Sequence, residues 1–211
     1  GAGDLLGAEQ SGFINEIGFE MYQKILDEAI QELKEDEFKG LFEEDVKETF
    51  VGFTQIDTDL EVLIPNEYVT SVAERYNLYT DLAKLENEKQ LRAFEDQLKD
   101  RFGPVPEQVK ELFNTLRLQW LGKRIGFEKI AFKKNTLKGY FISDKQSPYF
   151  ESEAFGRVLQ FVQANSRVCN LKEVKNTLRI AFEHVQDLGQ AIALLQQMVV
   201  PASINQPVEK E

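Results

Sequence analysis

The residue types that most often do chemistry are scarce in this sequence of 211 residues. His184 is the single histidine and Cys169 the single cysteine, and together they are too few for a structural zinc site. We interpret both as structural residues, His184 at a strand end and Cys169 in a polar turn. The sequence has no Walker-type phosphate loop, His-Glu-x-x-His or Gly-x-Ser-x-Gly motif. We therefore expect no catalytic centre, metal or cofactor in this chain.

Acidic residues outnumber basic ones and give a net charge of −11. Phosphate backbones are held mainly by lysine and arginine, so an acidic chain is a poor nucleic-acid binder by itself. The imbalance favours a basic protein surface as partner. The acidic cluster 43–45 could bind a divalent metal or a basic partner, but we favour a solvated linker. The lone cysteine fits a reducing compartment, and no apolar run reaches the ~20 residues of a membrane helix, so we expect a cytoplasmic protein.

A basic stretch interrupts this acidic sequence between residues 123 and 138. Its cations are interleaved with Phe127, Phe132 and Tyr140, and they are Lys123, Arg124, Lys129, Lys133, Lys134 and Lys138. Aromatic residues among cations are typical of a nucleic-acid patch, which we keep as the alternative function. The same alternation is also typical of a half-exposed hairpin with an apolar inner face, and we favour that interpretation.

The elements that must position these residues follow from the spacing of apolar residues. Steps of three and four predict helices over about 19–33, 66–84, 87–102 and 106–126, with Asn66 and Asn87 as caps. Alternation predicts a strand over 60–64. The charged break at 36–47 suggests a linker, so we place domains at 1–48 and 49–211.

The second half of the sequence changes character. Two strands are predicted around 129–134 and 138–143 with Asn135 in their turn, and a further strand at 177–183. Amphipathic patterns predict helices over 150–165 and 188–198. A helical N-terminal half followed by a small mixed β/α layer makes the fold class α+β.

Several short strings resemble a known family. Residues 1–7 (Gly-Ala-Gly-Asp-Leu-Leu-Gly) and 10–12 (Gln-Ser-Gly) resemble the end of the translocation motif shared by the helicase RecG and the bacterial transcription-repair coupling factors. Three further strings resemble the coupling factors specifically, and they occur in the family's order. They are 17–22 (Ile-Gly-Phe-Glu-Met-Tyr), 64–69 (Ile-Pro-Asn-Glu-Tyr-Val) and 100–106 (Asp-Arg-Phe-Gly-Pro-Val-Pro).

The resemblance implies a parent protein that is an ATP-dependent double-stranded DNA translocase, with ATP and magnesium bound outside this chain. The family displaces stalled RNA polymerase and recruits nucleotide excision repair. Residues 1 to about 35 would be the tail of the second motor lobe. Residues from about 50 onward would be the C-terminal domain, which in the family folds back on an N-terminal domain and masks the surface for the damage-recognition ATPase.

Two sites follow from the resemblance. Gln10 matches a loop glutamine that helps couple ATP hydrolysis to DNA movement, with Gly7 and Gly12 shaping the loop. Asp100 and Arg101 match the charged edge that contributes to the masking interface. Gln97 stands where the family has an acid, so one ion pair of that interface is expected to be lost.

A third possibility rests on composition alone. The abundance of Asp and Glu would also suit a stand-alone enzyme with carboxylate chemistry, although nothing in their spacing points to one. Such an enzyme would need a pocket in which several carboxylates converge.

Overall fold

The computed structural model describes residues 22–25, 28 and 50–199. Its elements form an α+β fold, as the sequence predicts. In chain order they are β1 (Gln55–Thr58), α1 (Val72–Ala83), α2 (Glu88–Phe102), α3 (Glu107–Ile125), β2 (Phe127–Lys133), β3 (Thr136–Phe141), a 3₁₀ turn (Pro148–Glu151), α4 (Glu153–Ala164), β4 (Cys169–Val174), β5 (Thr177–Glu183) and α5 (Leu188–Val199). Residues 22–25 and 28 are helical.

The chain divides into two compact units. Among the described residues, the first unit holds 22–25, 28 and 61–113, and the second holds 50–60 and 114–199. The division falls within α3. The predicted boundary between residues 48 and 49 involves residues outside the described ranges and stays a prediction.

The second unit is built on one five-stranded sheet with the strand order β1-β2-β3-β5-β4. β1 runs parallel to β2, whereas β2–β3, β3–β5 and β5–β4 are antiparallel pairs. Two of these pairs are hairpins, and a helix follows each: α4 after β3 and α5 after β5.

The two hairpins repeat one local design. Residues 134–137 and 175–178 both read Lys-Asn-Thr-Leu. The Lys and Asn of each tight turn have φ between 48° and 68°, which is the backbone of a type I′ turn, and asparagine tolerates it well. Gly139 and Ile180, which each lie two residues after the repeated string, pair with each other where the two hairpins meet.

The two faces of the sheet differ sharply in burial, since successive side chains point to opposite sides. One face carries the apolar core of this unit, including Phe127, Ile130, Phe132, Phe141, Ile180 and Phe182, each at most 3% exposed. The other face carries Lys129, Tyr140 and Arg179 among others, and none of its residues is buried. We call it the open face.

Tyr149 closes the junction between α3 and β2. Its hydroxyl donates to the Ile125 carbonyl at 2.6 Å, and its ring packs on Phe50, Phe141, Phe150 and Phe155. Gly126 follows with φ +98° and lies so close to the ring that a Cβ would come within 2.2 Å of it. Only glycine fits both conditions.

The structure corrects two predicted elements in the first half of the described chain. Residues 60–64 are not a strand; Val62 and Ile64 are buried, but the Ile64 amide donates to the Tyr79 hydroxyl at 2.9 Å instead of to a neighbouring strand. The first strand is instead β1. The helix expected from Asn66 begins at Val72 and is capped by Ser71, because residues 66–68 form a turn.

Other predicted boundaries are confirmed. Asn87 caps α2, with its side chain accepting from the Gln90 amide, and Gly103 ends that helix at φ 86°. The hairpin of β2 and β3 is confirmed with Asn135 in its turn, but each strand begins two residues earlier than predicted. Cys169 does not lie in a turn: it begins β4, a strand that the sequence analysis missed, and it is 8% exposed. His184 directly follows β5, as expected, with φ 62°.

A pair of glycine substitutions tests the core of the sheet. An alanine Cβ at Gly139 would lie 2.4–2.7 Å from the Phe127 ring, which is fully buried. We expect Gly139→Ala to lower the free energy of unfolding by about 1–3 kcal/mol, because the packed ring must move. Urea unfolding followed by circular dichroism measures this.

Gly156→Ala is the matched control. Gly156 lies in α4 with nothing within 4 Å of an added Cβ, so alanine should stabilise the helix by up to about 1 kcal/mol. Equal effects of the two substitutions would contradict the packing described around Gly139.

Candidate protein-interaction site

Two of the family-like strings meet at the C-terminal end of α2. The Tyr68 hydroxyl donates to the Gly103 carbonyl at 3.0 Å and to the Leu98 carbonyl at 3.3 Å. Its ring also lies edge-on to Phe102, with 5.7 Å between centroids. Gly103 follows the last residue of α2, so its carbonyl has no partner within the helix, and Tyr68 holds this end of the helix from 30 to 35 residues away.

Side-chain hydrogen bonds also hold the backbone just before α1. Arg75, only 5% exposed, donates to the carbonyls of Val69 and Thr70.

Burial raises the pKa of the Tyr68 hydroxyl, which therefore stays protonated and able to donate. We call this arrangement, in which Tyr68 holds the end of α2, the α2 cap.

The predicted interface residues lie on the surface of the α2 cap. Gln97, Asp100 and Arg101 are all exposed, and positions three and four apart share one side of a helix. We call these three residues the polar edge. The structure therefore brings the predicted residues together on one surface.

Within the polar edge, Arg101 has partners of its own. Its guanidinium forms an ion pair with Glu74 of α1, and its Cζ lies 4.8 Å from the centre of the Phe102 ring. Sequence reasoning missed Glu74 because it lies 27 residues from Arg101 and no local pattern links the two. The contact orients Arg101 before any partner arrives.

The neighbouring charges on α2 neutralise one another. Lys99 lies 2.8 Å from Glu95 and 3.7 Å from Asp96. The hydrogen bond from Lys99 to Glu95 raises the pKa of the lysine. These side chains form a local network on the solvent side, which leaves Asp100 as the acid of the polar edge without an ion pair among the described residues.

The basic stretch 123–138 is not one surface. Lys123 and Arg124 belong to the last turn of α3, and Lys134 lies in the β2–β3 turn. Lys129 and Lys133 on β2 and Lys138 on β3 share the open face. Phe127 and Phe132 point into the core, as the half-exposed hairpin predicts, whereas Tyr140 lies on the open face.

Asp57 on β1 partly neutralises the cations of that face. Its carboxylate lies 3.2 Å from the Lys129 Nζ and 2.5 Å from the Lys133 Nζ. Partial burial raises the pKa of Asp57, but the hydrogen bonds from Lys133 and Lys129 outweigh it and hold the pKa below the ordinary value.

One cleft among the described residues can be compared with the ligand site that carboxylate chemistry needs. This cleft, lined by Ile142, Lys145, Phe150, Glu173, Asn176 and Leu178, contains one carboxylate, Glu173, which pairs with Lys145 at 2.7 Å. No group of three or more His, Cys, Asp or Glu residues within residues 22–25, 28 and 50–199 could bind a metal. No helix in those ranges is long and apolar enough to span a membrane. The translocation-motif residues Gly7, Gln10 and Gly12 lie outside the described residues.

Comparison with known proteins agrees with the family-like strings. The TRCF domain family model matches residues 58–152. The chain is 30% identical over 182 residues to the transcription-repair-coupling factor of Rickettsia prowazekii. That alignment covers 86% of this chain and 15% of the relative. The chain is 32% identical over 138 residues to the transcription-repair-coupling factor of Bacillus subtilis, covering 65% and 11% respectively.

A solved structure shows the same fold. The crystal structure of a C-terminal domain of transcription-repair coupling factor superposes with a TM-score of 0.57 at 14% identity. The match covers 70% of this chain and 92% of that domain.

These observations first define a class: the chain contains an α+β TRCF domain in which two of the family-like strings meet at the α2 cap. The predicted resemblance is confirmed: the chain carries the TRCF domain of the transcription-repair coupling factor family of DNA repair proteins and resembles curated members over most of its length. It spans about 15% of the length of the curated Rickettsia relative, so the activities of a whole family protein are not part of this assignment.

Removing the Tyr68 hydroxyl tests the α2 cap. Tyr68→Phe keeps the ring against Phe102 but leaves the Leu98 and Gly103 carbonyls without their donor. We expect the free energy of unfolding to fall by about 0.5–1.5 kcal/mol, and amide hydrogen exchange in the last turn of α2 to speed up. The exposed Tyr76→Phe, on α1, is the control and should change neither quantity. Unchanged exchange in Tyr68→Phe would contradict the capping role.

The pKa of Asp57 predicts a pH dependence. Because the folded pKa lies below the ordinary value of 3.8, the ionised carboxylate stabilises the fold above that pH, and the contribution is lost as the pH falls through the folded pKa. Asp57→Asn should therefore lower stability at neutral pH and match the wild type in strong acid. Urea unfolding at both pH values measures this. A constant difference at all pH values would refute the assignment.

Proposed function

We propose that this chain is the C-terminal regulatory region of an ATP-dependent DNA translocase that displaces stalled RNA polymerase and couples transcription to nucleotide excision repair. In this proposal the motor, its ATP and magnesium, and its contacts with DNA belong to the parent protein, and the site of action is the bacterial cytoplasm. The domain itself acts by protein–protein contact. It binds the N-terminal domain of the same parent and masks the surface that the damage-recognition ATPase needs.

One observation supports the masking role above all: the polar edge is exposed on a rigid support. The hydrogen bonds of Tyr68 fix the backbone beneath it, and Glu74 orients Arg101. A preformed edge spends little conformational entropy when it binds. The edge also presents an acid, a base and an amide side by side, which suits a complementary polar surface.

The strength of such contacts suits a mask that must open. Exposed ion pairs are each worth only about 0–1 kcal/mol, so an interface built on Asp100 and Arg101 releases readily when the parent changes shape. Arg101 would keep its Glu74 contact in both states, which lowers the cost of release. Gln97, in place of the family's acid, makes this version of the interface one charge weaker.

The test is binding of this chain to the isolated N-terminal repair-factor-binding region of the family, by isothermal titration calorimetry at low and moderate salt. We expect salt-weakened binding that Asp100→Lys reduces at least tenfold, because the substitution turns an attraction into a repulsion at a docked surface. Glu151→Lys makes the same change of charge at an exposed position in the second unit and should bind normally. The damage-recognition ATPase should compete with the chain for the same region.

Arg101 needs a compensated variant, because its replacement also breaks the pair with Glu74. Arg101→Glu alone places two acids together. Adding Glu74→Arg restores an internal pair while the edge keeps its reversed charge. If the double variant folds as stably as the wild type but still fails to bind, Arg101 contacts the partner directly. If the double variant binds normally, the role of Arg101 is confined to the fold.

Gln97→Glu tests whether the family's acid at this position strengthens binding. The family's acid at this position predicts a gain in affinity of up to about fivefold, the equivalent of one exposed ion pair. The gain should disappear at high salt. Absence of binding by every variant at low salt would leave the domain assignment intact and remove the masking role.

A further inference from the structure

The open face of the sheet carries a row of charge that the masking role does not use. Cross-strand pairing places Lys129 opposite Tyr140, Tyr140 opposite Arg179, and Arg179 opposite Lys172. The row thus crosses four neighbouring strands. It spans three strand spacings, or roughly 14 Å. One aromatic ring stands among three cations, in a chain whose net charge is −11.

Two cations of this row, Lys172 and Arg179, form no ion pair among the described residues, and neither does Lys138 in the next row, whereas Lys129 pairs with Asp57. Other exposed lysines of the same unit, such as Lys145, are also paired. Arg179 and Lys172 stand directly opposite each other, and like charges in that position destabilise a sheet. The Nε of Arg179 is also shielded from water without a hydrogen-bond partner in the described part of the chain. An anion lying across the row would relieve the repulsion between these two cations.

The shape of the face narrows the choice of anion. The neighbouring positions in the next row are Ala131 on β2 and Ala181 on β5, on either side of Lys138. These small side chains leave the surface beside Tyr140 low and flat. An acidic peptide would need the cations alone, whereas an unpaired base needs a flat ring on which to stack. Open sheet faces with an aromatic platform between cations suit single strands and not a duplex, whose bases are already stacked.

We propose that the open face of the sheet binds single-stranded nucleic acid, with Lys138, Lys172 and Arg179 contacting phosphates and the Tyr140 ring stacking on a base. Asp57 limits the affinity, because it pairs with Lys129 and Lys133 at the edge of the same face. This surface lies wholly within the second unit and shares no residue with the polar edge, so the proposal does not rest on the masking role.

The test uses the whole chain and a short fluorescent oligothymidylate, with binding followed by anisotropy as salt is varied. Three phosphate contacts predict that the logarithm of the binding constant falls with the logarithm of salt at a slope of about −2. An oligouridylate should bind similarly, because the row offers no group that selects the 2′-hydroxyl. A duplex of equal length and a poly-glutamate chain should bind much more weakly.

Four variants distinguish a loss of base stacking or of positive charge from a loss of folding. Arg179→Gln should flatten the salt slope by about 0.7, whereas Lys89→Gln, the same loss of charge at an exposed position on α2, should not. Tyr140→Val should weaken binding by about 5- to 150-fold, the range of one base–aromatic stack, and Tyr140→Phe should bind as the wild type. Thermal unfolding of each variant reports on the fold independently.

Asp57→Asn supplies an effect that a purely structural role would not give. Freeing Lys129 and Lys133 should increase affinity for the oligonucleotide even though the variant is less stable at neutral pH. The proposal is overturned if oligothymidylate does not bind at low salt, if Tyr140→Val binds as well as Tyr140→Phe, or if poly-glutamate binds as tightly as the oligonucleotide. The last outcome would assign the face to an acidic protein surface instead.

Discussion

The second unit depends on one contact, the Tyr149 ring lying against the bare backbone of Gly126. The ring leaves no room for a Cβ, and the Tyr149 hydroxyl satisfies the Ile125 carbonyl at the point where α3 ends. This fixes where the helix stops and β2 starts. The register of β2 then determines which of its side chains enter the core and which stay on the open face, since a shift by one residue would exchange them.

The same contact links the core to the open face of the sheet. Tyr149 packs on Phe141 and Phe155, so the end of β3 and the start of α4 are held to the same point. Tyr140, next to Phe141, is thereby aimed at solvent. The buried aromatic cluster on one side of β3 therefore fixes the position of the Tyr140 ring on the other side.

Local patterns predicted those features that depend on neighbours in sequence. Asn87 and Gly103 bounded α2 correctly because caps act within one turn of a helix, and the turn at Asn135 followed from the alternation around it. Residues 60–64 misled because Val62 and Ile64 are buried and the neighbouring Glu61 and Leu63 are not, although this segment has no strand partner. Alternation reports burial of every second side chain, and a loop can satisfy that as well as a strand.

The candidate sites also contain residues that the sequence could identify and residues that it could not. Asp100 and Arg101 could be proposed from the family resemblance, and their exposure agrees with that proposal. The roles of Tyr68 and Glu74 could not be proposed from the sequence, because each acts on residues 27 to 35 positions away. Likewise, the sequence grouped six cations by proximity along the chain, whereas pairing of β3 with β5 combined some of them with Arg179 and Lys172 from another hairpin.

The repeated Lys-Asn-Thr-Leu turns have a consequence for how the sheet assembles. Each hairpin closes over a two-residue turn and can form from local contacts, which are fast to make. β1 joins by contacts that include the Thr54 hydroxyl and the Phe127 carbonyl, 73 residues apart, so the chain between them must first be organised. Each hairpin should therefore form early, whereas the pairing of β3 with β5 and the addition of β1 join more distant residues and should form later. Because β1 carries Asp57, the charge of the open face should be complete only after this edge has joined the sheet.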